Sequence, residues 1–159
     1  MYEPIRTKSV HSMAADTAGR RGPHRSRTEE LDIRLAGHLT ALLTVTDELR
    51  SLVRRHEGDG TGGRPETGPY AVSGAELDRA ADRIAEQVAR LRGGRYPLRA
   101  EPTGGGDPAR VPALHRRART LAGNALAVAT ARGDAAAIAL TSERMEAHTA
   151  VHRNLAATA

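Results

Sequence analysis

Histidine and arginine carry most of the chemistry this sequence could perform. His148 and His152 stand four residues apart. On a helix that spacing puts both imidazoles on one side, with Cβ atoms about 5–6 Å apart, so the two rings could share one metal ion. The pattern lacks the intervening glutamate of the zinc proteases, and a working site also needs a third ligand and partners that orient the rings. His148 and His152 are therefore only weak metal candidates, with Glu143, Glu146 and His115 as the residues that could join them, and no metal or other cofactor is expected. His38 follows Gly37 inside an apolar stripe. Glycine in a helix interior costs about 1 kcal/mol against alanine, so its presence beside a histidine suggests that another helix or a ligand comes close there. The ordinary reading of His38 is a core histidine with one satisfied hydrogen bond. The sharper one gathers His38, His115, His148 and His152 around a polar ligand pocket. No nucleophile and base pair accompanies these rings, so no catalytic residue is assigned, and an enzyme is the less favoured reading.

Arg116, Arg117 and Arg119 concentrate positive charge where a helix begins, which the helix dipole disfavours unless something anionic lies opposite. Intramolecular pairing with Glu76, Asp78, Asp82 or Glu86 is the common solution, and phosphate or a nucleic-acid backbone is the other. Residues 1–27 hold Arg6, Lys8, Arg20, Arg21, Arg25 and Arg27 against Glu3 and Asp16, which is +4 of the net charge of +5. The rest of the chain is nearly neutral and offers few aromatic rings for base stacking, so nucleic acid is a possible partner without being the favoured one. All basic residues but Lys8 are arginine, as in GC-rich coding sequences, which weakens a functional reading of arginine by itself.

Composition limits what can hold these residues. The 159-residue chain has no Cys, Phe or Trp, and its three tyrosines are Tyr2, Tyr70 and Tyr96. Disulfides, thiolate metal sites and thiol nucleophiles are excluded. The core must be made of Leu, Val and Ala, which predicts a thin core and stability drawn partly from a partner or a second copy. No stretch reads as a signal peptide or a membrane span, so the expected compartment is the cytoplasm.

Periodicity predicts an all-α, four-helix bundle of antiparallel helices over about 28–56, 74–92, 109–132 and 135–157, behind a disordered basic tail, 1–27. Met13 is a possible true start. Ser26 with Glu29, and Ser73 with Glu76, are capping boxes. The first stripe runs Leu31, Leu35, His38, Leu42, Val45, Leu49 and Leu52, flanked by Leu39, Leu43 and Val53; the second runs Leu77, Ala81, Ile84, Val88 and Leu91. Asp107-Pro108 or Pro112 starts the third helix, whose stripe is Leu114, Ala118, Leu121, Ala125 and Val128. Arg132-Gly133-Asp134 reads as cap, turn and cap, and the fourth helix would turn Ile138, Thr141, Met145, His148, His152 and Leu155 inward. The Gly-rich runs 58–63 and 104–106 lack the ending of a phosphate-cradling loop and read as linkers. In the loop 93–107, Tyr96 and Leu98 are expected to pack as a small apolar lid.

Two stretches, Leu35-Ala36-Gly37-His38-Leu39 and the basic segment from His115 to Ala122, resemble a family of small actinomycete helical proteins labelled natural-product biosynthesis proteins. The first is similar to that family's Leu-x-Gly-His-Ile/Leu helix opening and the second to its basic helix after a Pro/Gly-rich loop. The resemblance implies a helical fold and brings no catalytic residue with it. The function expected from the residues is that of an accessory or regulatory protein, making helix-mediated contacts with a protein partner or with a second copy of itself. A small-molecule- or metal-binding protein with a His-lined pocket, and a nonspecific nucleic-acid-associated protein using the Arg-rich tail, are the alternatives.

Overall fold

The computed structural model describes residues 25–58, 71–99, 101–102 and 106–157. The expected tail up to residue 24, Met13 and most of the first linker lie outside them. The fold is an all-α four-helix bundle, with no strand among the described residues: α1 (Arg27–Gly58), α2 (Gly74–Leu91), α3 (Val111–Arg132) and α4 (Ala135–Ala157).

Each helix begins and ends where its residues dictate. The Ser26 hydroxyl accepts from the Glu29 N–H at 3.1 Å while the Glu29 carboxylate accepts from the Ser26 N–H at 2.7 Å, so α1 starts on a complete capping box. Ser73 and Glu76 repeat the arrangement on α2. Both proposed starts of the third helix are used. Asp107 caps a single 3₁₀ turn, Pro108–Arg110, and α3 continues from it with Pro112 in its first turn. Gly133, at φ 70°, closes α3 in the left-handed conformation glycine adopts without strain. The Asp134 carboxylate accepts from the Ala137 N–H at 3.0 Å to open α4.

α1 is the central element, packed along both α2 and α3; α4 lies along α3 and meets α2 more sparsely. It therefore buries two flanks. Leu35, Leu39, Leu42, Leu43, Leu49 and Val53 are fully enclosed, while His38 and Leu31 at the stripe's edge are half-buried. α3 presents Ala118, Ala122, Ala125 and Ala129, all without exposed surface, which lets its neighbours come close. The buried face of α4 is rotated from the expected one. Ala137, Leu140, Thr141, His148 and Val151 are enclosed, and Ile138, Met145, His152 and Leu155 are half-buried, because α4 is covered well by α3 and only lightly by α2.

Each adjacent pair runs antiparallel. Arg54 near the end of α1 pairs with Asp78 near the start of α2, and Arg132 at the end of α3 pairs with Asp32 near the start of α1 at 2.8 Å. Arg110, just before α3, reaches Glu48 at 2.7 Å. Consequently α2 and α3, consecutive in sequence, run in the same direction on opposite flanks of α1. The chain between them must travel back along the bundle, a distance of about 24 Å if measured from Asp32 to Glu48 at 1.5 Å per helical residue. The described residues of the loop, 93–99, 101–102 and 106–107, thus belong to a crossover strap laid over α1.

The strap is held at several points. Pro97 is buried, and the Arg99 guanidinium pairs with Asp47, its Nε donating to Oδ2 at 3.0 Å, and with Asp82 at 3.5 Å. Asp47 is 4 % exposed, so its charge requires such a partner. Further on, Gly106 lies close against α1, where an added Cβ would sit 2.7 Å from Leu52 Cδ2 and force that side chain to shift. Tyr96 and Leu98 do not form the expected lid. They are 65 % and 100 % exposed, because the extended strap alternates its side chains and turns Pro97 and Arg99 inward.

Candidate functional site

Two of the four expected pocket histidines meet. α3 and α4 bring the His115 and His148 rings together with Nδ1 to Nδ1 at 3.0 Å and centroids 5.2 Å apart, and the residues are 1 % and 2 % exposed. One Nδ1–H must donate to the other ring's bare nitrogen, so at most one ring carries a proton there. Burial, reinforced by His115 and by the Arg144 guanidinium, pushes the His148 imidazole down to about 3 and keeps it neutral. His148 Nε2 is buried without a hydrogen-bond partner.

His38 and His152 do not join this pair; each stays half-buried on its own helix. Among the described residues no group of three or more His, Asp or Glu side chains is arranged to hold a metal ion. Gly37 has no close neighbour, and a Cβ built there meets nothing within 4 Å. The glycine instead lines an open hollow of about 440 Å³ between the first half of α1 and the end of α2, with Ile33, Ala36, Thr40 and Leu91.

Arg116, Arg117 and Arg119 are exposed on α3 and make no ion pair among the described residues. The acids expected to neutralise them lie on α2, across α1 from α3. Asp78 is taken by Arg50 and Arg54 and Asp82 by Arg99.

Two features escaped the sequence reading. The first is the buried Asp47, which continues the row Leu39, Leu43 at the next four-residue step; a carboxylate on an apolar row is the signal that could have found it. The second is the charged groove between α2 and α4, of about 340 Å³, where Arg79, Arg83, Glu143 and Arg144 meet. Arg83 Nη1 donates to both Glu143 oxygens at 2.8 and 2.7 Å, and Arg144 Nη2 donates to Oε1 at 2.8 Å. These contacts hold the Glu143 carboxyl below the usual carboxylate range even though burial acts to raise it. Arg144 Nε is buried without a partner. The residues that make this groove are 60 positions apart in the chain, so spacing gives no sign of it.

None of the described helices is long and apolar enough to cross a membrane. The chain matches no family model, and neither curated proteins nor solved structures yield a relative.

Proposed function

We propose that this chain is a helical accessory or regulatory protein that acts through protein contacts, and first through contact with a second copy of itself. The observation that carries this reading is the display of Leu98 and Tyr96. They are two of three large apolar residues exposed among the described residues, the third being Ile33 on α1. A short segment anchored by the buried Pro97 between them and by the Arg99–Asp47 pair after them holds them outward. Displaying a whole leucine to water gains nothing for the folded protomer, whereas its burial in an interface is favourable by roughly 1.5–3 kcal/mol.

The hollow beside Gly37 and Ile33 adds the complementary half. It lies where the strap leaves α2, since Leu91 and Arg92 form one wall. A molecule that carries both an apolar projection and an apolar hollow can exchange them with a copy across a two-fold axis, giving a closed dimer with two equivalent contacts. The surface therefore combines the strap with a face of α1.

Size-exclusion chromatography with light scattering on the full chain, and on its Tyr96→Ser/Leu98→Ser variant, tests this. Wild type is expected at twice the chain mass with a thermal midpoint that rises with protein concentration, and the variant at the chain mass, still helical, with a lower midpoint independent of concentration. Equal masses for both proteins would refute the role of the strap.

A further inference from the structure

The α2–α4 groove has an imbalance of hydrogen-bonding groups. Its acceptors are already engaged. Both Glu143 oxygens take N–H groups from Arg83 and Arg144, and Glu76 Oε2 takes the Ser73 N–H and hydroxyl at 2.8 Å each as part of the α2 cap. Donors are left over. Arg144 Nε is buried and unpartnered, although the side chain is only 13 % exposed, and Arg79 lines the groove with no ion pair among the described residues. One turn along the same helix His148 Nε2 is likewise buried and unpartnered.

A buried guanidinium N–H without an acceptor costs more than a neutral donor left in the same state. An acceptor brought from outside the chain would satisfy it. The rest of the wall, Val72, Ala80 and Ala147, is aliphatic. That lining suits a short hydrocarbon body better than a free inorganic anion, which would lose hydration against it. The seam is also open, since α2 and α4 meet sparsely.

We propose that the groove between α2 and α4 binds a small organic carboxylate, its carboxylate accepting from Arg144 Nε and pairing with Arg79 while its aliphatic part rests on Val72, Ala80 and Ala147. The site is on a different face from the strap and hollow and stands independently of self-association.

The test uses the full-length chain and sodium octanoate as the probe, with inorganic phosphate beside it. Nitrogen-detected NMR of the arginine Nε and imidazole groups follows each titration. Octanoate is expected to give a saturable shift of Arg144 Nε and of the His148 ring, with affinity about tenfold lower in Arg144→Gln, where a charge-assisted bond is lost. Arg116→Gln, on the exposed face of α3, is expected to bind as wild type does. Ala147→Leu fills the groove without altering its charges and should also abolish the shift, so the outcome does not hinge on the folding of the Arg144 variant. The proposal is overturned if octanoate gives no saturable shift, if the Ala147→Leu protein binds as wild type does, or if phosphate binds as tightly with the same dependence on Arg144.

Discussion

A histidine buried with its partner ring reports on solution pH through the balance of folded and unfolded forms. His148 is held down to about 3 in the native protein against an ordinary value of 6.5. Above pH 6.5 both states carry it neutral, and it makes no difference to stability. Below that, the unfolded chain takes up a proton that the folded chain refuses, so stability falls as pH falls, until the native ring itself titrates near 3. The loss is about 1.4 kcal/mol per pH unit, or roughly 2 kcal/mol between pH 6.5 and 5. Urea denaturation across that window should show the slope, and His148→Gln should flatten it; a wild-type slope of zero would mean the ring is accessible to protons when folded. Carboxylates held low by arginine, such as Glu143, act further down the scale, below their ordinary value of 4.5, and leave the upper window to histidine. Gly37 supplies a second test at this scale. It lies within α1 with open space around its Cα in the protomer, so in the Tyr96→Ser/Leu98→Ser background, where the proposed contact with a second copy is removed, Gly37→Ala should stabilise the protein by about 1 kcal/mol in the same assay. A loss of stability in that background would show that something other than Leu98 covers the position.

At the scale of elements, helices were legible in the sequence because caps and apolar periodicity are local signals. Ser26, Ser73 and Gly133 each sit where their chemistry alone would put a helix end. The strap was not legible for the opposite reason. Its course depends on α2 and α3 running in the same direction, which follows from the packing of both against α1 and leaves no trace in residues 93–107 themselves. Tyr96 and Leu98 look like core residues by type; what turns them outward is the inward claim of Pro97 and Arg99 on an alternating backbone. Arg99→Ala should therefore be costly, since it leaves the buried Asp47 with only the more distant Arg50, 3.8 Å away. Because Arg99 is itself partly exposed, about 2 kcal/mol is expected instead of the larger values seen for fully buried pairs. Hydrogen exchange should then quicken in residues 95–99. Asp47→Asn combined with Arg99→Ala should recover part of the loss, and a double variant no better than Arg99→Ala would contradict the account of the buried charge.

For the whole molecule, the four histidines illustrate how far spacing reaches. His148 and His152 share a helix and look paired in sequence, yet the partner of His148 is His115, 33 residues away on α3. Which ring meets which is decided by the rotation of α4 about its axis, and that depends on sparse cover from α2, a property of the assembled bundle. The arginines of α3 remain outward for the same reason, with their expected acidic partners placed across α1. Among the described residues, the exposed large apolar side chains lie on the strap and beside its hollow, and the buried donors without partners are Arg144 Nε at the α2–α4 groove and His148 Nε2 one turn along.

The proposed dimer seats Leu98 of one copy in the hollow beside Gly37 of another. A photo-reactive residue at position 98, in a mixture of isotope-labelled and unlabelled chains, tests it most directly by mass spectrometry of the cross-linked peptides. Mixed-label cross-links between position 98 and the α1 stretch from Asp32 to Thr40 are expected. Cross-links confined to single chains, or mixed-label products scattered over other surfaces, would contradict it.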